Sequence, residues 1–160
     1  MSAARAVLGC VVAGAVACST GPRVDLAWTG ADTGSAVLPA LARRCGAGPV
    51  ELTAMSGDTG IGFVIYGPEP LVSGAFPLTG PNEAASSPPA AALAARWLDS
   101  TEIFAYRAAE GRLELTVGRR LDGTFTAKGA RWGAGSGEVT FEGAIHGVPV
   151  GPCEEGAAGR

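Results

Sequence analysis

From residue 24 to residue 146, apolar and polar side chains alternate one by one in segment after segment. Val24, Leu26 and Trp28 share one face against Asp25. Val50, Leu52 and Ala54 oppose Glu51 and Thr53, and Leu113, Leu115 and Val117 oppose Arg112, Glu114 and Thr116. Val139, Phe141, Gly143 and Ile145 oppose Glu138, Thr140, Glu142 and His146. A period of two places one face on a core and the other in water, which is the pattern of half-buried strands. Ile61 to Tyr66 is apolar on both faces and reads as a central strand or one that lines a contact. Val72–Leu78, Ile103–Arg107 and Leu121–Ala130 are weaker strands, the last diluted by Gly123 and Gly129, which suggest a bend or bulge.

Turn residues separate these runs. Ser56 to Gly60, Ala109 to Gly111, Gly118 to Gly123 and Gly133 to Gly137 all read as connections. A strand every 8–12 residues or so predicts a mostly β chain: one antiparallel β-sandwich or barrel of about eight strands. Pro88–Leu98 fits a short helix, with Ser87 as N-cap and Pro88 at N1, nearly as well as a strand; the helix is slightly preferred. Val37–Arg44 is open in the same way.

Composition narrows the function classes. The formal charge is −3 over 160 residues, which disfavours a nucleic-acid binder. An apolar content of 47% with 17% charged residues does not fit a solvated coil. One His leaves little material for acid–base or metal catalysis, so no catalytic residue, metal ligand or cofactor is expected.

The N-terminus carries an address. Arg5 precedes an uncharged, mostly apolar stretch from Ala6 to Ala17, long enough for the core of a signal peptide and too short for a bilayer, which takes about 20 residues. It ends in Ala15-Val16-Ala17-Cys18-Ser19. This resembles the lipobox of bacterial lipoproteins, although Ala15 stands where that family prefers Leu. The resemblance covers about twenty residues. It implies cleavage after Ala17, acylation of the Cys18 thiol and a membrane partner reached through that lipid; Ser19 resembles the residue that permits transfer to an outer membrane. Two or more acyl chains anchor a domain stably where one holds only marginally. The alternative is plain secretion with cleavage after the small residue Ala17.

Expected divisions are a signal peptide at 1–17, a tether at 18–23, a β-domain at 24–153 and a disordered tail at 154–160. Losing Arg5 leaves eleven basic and fifteen acidic residues, a charge of −4. Such a domain is not expected to lie flat on anionic headgroups. With Cys10 removed and Cys18 acylated, Cys45 and Cys153 remain in an exported, oxidising compartment, and a disulfide between them is expected.

Other motifs are weaker. Asp32-Thr33-Gly34 and Asp58-Thr59-Gly60 look like the aspartic-protease signature, but each sits among turn residues rather than after an apolar strand end. Gly133-x-Gly135-x-Gly137 lacks the Lys and helix of a phosphate loop. His146 falls on the polar face of its strand, about 13 Å along it from Glu142. Arg43-Arg44 and Arg119-Arg120 read as solvated loop pairs. Trp132 falls on the polar face beside Thr126 and Lys128, which makes it a candidate contact for a partner or carbohydrate. The reading that follows is a lipid-anchored envelope protein with a non-catalytic binding or structural role and an unknown envelope ligand or protein as partner. A small barrel carrying an apolar ligand is the alternative. A hydrolase would need Asp32, Asp58 and His146 to converge.

Overall fold

A computed structural model describes residues 21–99, 101–133 and 136–153. The expected signal peptide, Cys18 and the tail from 154 lie outside the described residues. The strands are β1 (Arg23–Gly30), β2 (Gly34–Arg44), β3 (Val50–Ser56), β4 (Thr59–Tyr66), β5 (Gly74–Leu78), β6 (Ala90–Asp99), β7 (Glu102–Val117), β8 (Leu121–Arg131), β9 (Glu138–Val148) and β10 (Val150–Pro152). One short helix, α1 (Pro81–Ser86), precedes β6.

The sheet closes on itself. β1 pairs with β2 on one side and β9 on the other, and the ring runs β1, β2, β3, β4, β6, β5, β7, β8, β9. The predicted mostly β chain is therefore a closed nine-stranded barrel rather than a sandwich. Nearly all neighbours are antiparallel, so the chain is mainly an up-and-down meander. β5 and β10 are the parallel exceptions. Each shares a long strand with another: β7 pairs with β6 over its first part and β5 over its second, and β2 is divided between β1 and β10.

Closure follows from the alternation. Val24, Leu26, Leu38, Leu52, Phe63, Leu113, Phe125, Phe141 and Ile145 turn inward and are buried. A large apolar side chain contributes roughly 1.5–3 kcal/mol when fully buried. A barrel of about eight strands is just wide enough for side chains to fill it. Phe63 on β4 and Phe125 on β8 stand on opposite sides of the ring, with ring centroids 5.0 Å apart. Gly143, paired with Phe125, makes room for that ring: a Cβ there would lie 2.6 Å from Phe125 Cζ and 2.1 Å from the Asp25 carbonyl oxygen.

Two local expectations need correction. Residues 90–99 are strand β6, and the helix lies earlier, at 81–86. Leu93 and Trp97, four apart, share a face in either geometry. The alanines before them are ambiguous because Ala90 and Ala92 are also buried, on the outer side, with Ala84 of α1 and Tyr66. Ala109–Gly111 is not a turn: it lies inside the sixteen-residue β7, where the register with β8 shifts between Ala108 and Glu110. The expected bend near Gly123 is present as a register shift between Leu121 and Gly123 against β9. Val37–Arg44, undecided from sequence, belongs to β2.

The disulfide joins Cys45 and Cys153, with Cα atoms 4.9 Å apart, inside the usual 4.4–6.8 Å range. It sits at the end of the barrel where the chain enters, because β10 runs beside the C-terminal part of β2 and the Ala40 amide donates to the Pro22 carbonyl. The β1–β2, β3–β4, β6–β7 and β8–β9 turns mark the opposite end.

Candidate functional site

Two surfaces compete for the role of binding site: the barrel interior and its outer wall. The interior end near the β1–β2 turn is closed by aromatic rings. Trp28 on β1 stacks on Trp97 of β6 across the ring, with centroids 4.6 Å apart. Trp97 also stacks on Tyr106 at 5.1 Å and meets Phe141 edge-on at 6.3 Å. Asp32 caps this group from the turn: its Oδ2 accepts from Trp97 Nε1 at 2.6 Å and from Trp28 Nε1 at 3.3 Å. Each indole N–H would lose water on burial, so one carboxylate satisfies two donors.

The three residues a hydrolase would need do not converge. Asp32 is engaged by the two indoles, and Asp58 is exposed at the β3–β4 turn. His146 lies near the other end of the barrel, opposite Arg23 in register. Its Nε2 is 2.9 Å from Asp25 Oδ2, and Arg23 Nε lies 3.2 Å from Asp25 Oδ1. Asp25, not Glu142, is thus the partner of His146; no spacing along one strand could reveal a pair made between β1 and β9.

The outer wall holds the other surface. Register places Met55, Gly60, Arg96 and Ala105 side by side across β3, β4, β6 and β7. One row along, Thr53, Gly62, Ala94 and Arg107 do the same. Gly60, Gly62 and Ala94 keep the middle of the wall low, and the result is a groove of about 250 Å³. Trp132 closes one side. Its amide donates to the Ala105 carbonyl at 2.8 Å, which fixes its backbone against β7. Its side chain is 62% exposed, and the Arg107 guanidinium lies 3.8 Å from the ring centroid. A cation over an indole is worth about 0.5–1 kcal/mol at an exposed site, enough to bias both side chains toward one arrangement.

Exposed apolar side chains extend this wall. Leu98 and Ile103 face each other across β6 and β7 next to the Arg96–Ala105 row, and both are exposed. By contrast, charged pairs cover other parts of the outside: Arg43–Glu51, Arg112–Glu114, Lys128–Glu110 and Arg131–Glu102. Glu110, chiefly by its hydrogen bond, holds the Lys128 ammonium above the usual lysine range. Among the described residues, no group of three or more His, Cys, Asp or Glu is arranged to hold a metal ion, and no helix is long and apolar enough to cross a membrane.

Of the residues singled out from sequence, Trp132 lies at the groove, and Cys45 and Cys153 at the opposite end. Sequence reasoning missed Met55, Arg96 and Arg107. A signal existed in the small residues at outward positions of β4 and β6, Gly60, Gly62 and Ala94, beside bulky inward ones, but the neighbours of those strands were needed to see a surface. Comparison with family models, with curated proteins and with solved structures gives no match.

Proposed function

We propose that the chain is an exported, lipid-tethered envelope protein that works by binding and not by catalysis, with the outer groove as its contact surface. The observation that carries the binding part is the contrast between a filled lumen and a low, apolar wall beside the exposed Trp132. The lipobox-like Ala15-Val16-Ala17-Cys18 supports the anchor. The groove's position agrees with it: the chain enters at Gly21, at the end of the barrel away from Trp132, so a short tether would hold the groove off the membrane.

A carrier of an apolar ligand is the second reading, favoured by the closed small barrel. Phe63, Phe125, Trp28 and Trp97 already occupy its lumen, so a ligand there would have to displace them. The test is membrane fractionation of wild type and Cys18→Ala, with the mass of the mature N-terminus. The expected result is an acylated Cys18 N-terminus and release of the variant from the membrane. Continued membrane retention of the variant overturns the anchor.

A further inference from the structure

We propose that the outer groove binds an amphiphilic anion, a carboxylate or phosphate head on an apolar body. This rests on the groove being the contact surface and adds the chemistry of what it takes.

The head is argued from charge. Arg96 and Arg107 rise from adjacent strands on either side of Ala94 and Ala105. Among the described residues no carboxylate pairs with either, whereas nearby Arg131 is neutralised by Glu102. Among the described residues, no Asp or Glu lines the groove. Two guanidiniums over an apolar floor offer forked donors that match a carboxylate or phosphate.

The body is argued from what the lining lacks. Among the described residues, Met55, Gly60, Gly62, Ala94, Ala105 and Trp132 present no side-chain acceptor, the lining holds no Asn or Gln, and its side-chain oxygens are the hydroxyls of Thr53 and of the buried Tyr106. Sugar hydroxyls donate as well as accept, so a saccharide would find one exposed side-chain acceptor, Thr53, and leave most of its donors without a protein partner here. An extended peptide is disfavoured too. Such a segment adds to a free strand edge, and the floor strands β4, β6 and β7 already have partners on both sides. An apolar chain or ring against Met55 and Trp132 needs no such groups. The groove, about 250 Å³ and open to solvent, gives room for a short apolar chain with its head.

The test uses the full chain carrying Cys18→Ser, so that no attached acyl group competes, and equilibrium dialysis of small probes. Octanoate and octyl phosphate are expected to bind, octanol about tenfold more weakly or worse, and inorganic phosphate not measurably. Arg96→Gln with Arg107→Gln, and separately Trp132→Ala, are expected to weaken octanoate by about tenfold, with circular dichroism unchanged. Equal binding of octanol and octanoate overturns the proposal, as does failure of every probe to bind. Tighter binding of trigalacturonate, lost in Trp132→Ala, overturns the ligand class and leaves the groove as the contact surface. Octanoate binding that survives all three substitutions overturns the groove itself.

Discussion

The inner and outer faces of β4 and β6 are built from side chains of opposite size. Inward, Ile61, Phe63, Ile65, Leu93 and Trp97 are bulky and fully packed. Outward, Gly60, Gly62 and Ala94 are among the smallest side chains available. One backbone therefore holds a core on one side and a depression on the other. Filling the barrel took the large residues and left no lumen; keeping the outer wall low left a place where something else can sit.

The sharpest way to break this contrast is to empty the inside. Trp97→Ala removes the ring that touches Trp28, Phe104, Tyr106 and Phe141. It should cost about 3–5 kcal/mol in denaturant unfolding, and a loss below about 1 kcal/mol would mean that the lumen is not a packed core. Next comes the Cys45–Cys153 bridge, which closes a loop of 108 residues. Its removal by paired Ser substitutions should cost about 2–5 kcal/mol, and a peptide map without reduction should show the linked pair. Two free thiols in the protein purified without reductant would contradict it.

Asp32→Ala tests the cap between the two regions. It strands two indole donors, and the loss should be about 1–3 kcal/mol, with a change in tryptophan emission. The outer face should respond least. Trp132→Ala removes the Arg107 contact and is expected to shift stability by no more than about 1 kcal/mol. A loss as large as that of Trp97→Ala would make Trp132 a structural residue and erase the distinction between the faces.

How much could be read beforehand follows the same division. Inward faces were legible wherever strands alternate cleanly, as at Val24–Trp28 and Val139–Ile145. Where both faces carry apolar residues the period disappears. Ala90 and Ala92 are covered by α1 on one side and Ala91 and Leu93 face the core on the other, so strand β6 could pass for a helix. The long β7 hid its continuity because a bulge at Ala108–Glu110 uses the same Gly-containing sequence as a turn. Of the groove, only Trp132 could be anticipated, from the parity of its strand. Arg96 and Arg107 acquire meaning from a pairing between strands, just as His146 does from Asp25, and no local pattern encodes that register.

The position of the disulfide also has a mechanical meaning. Any pull on the N-terminal segment enters the fold through β1, which is held by β2 over six residues and by β9 over eight. Both neighbours run antiparallel to it, so a force along β1 loads the two rows of hydrogen bonds in shear, all at once, instead of opening them one by one. The other chain end, which could peel from β2 as the short β10, is fastened to Cys45. A barrel of this build takes strain across two antiparallel pairings at once, with its short terminal strand already stapled down.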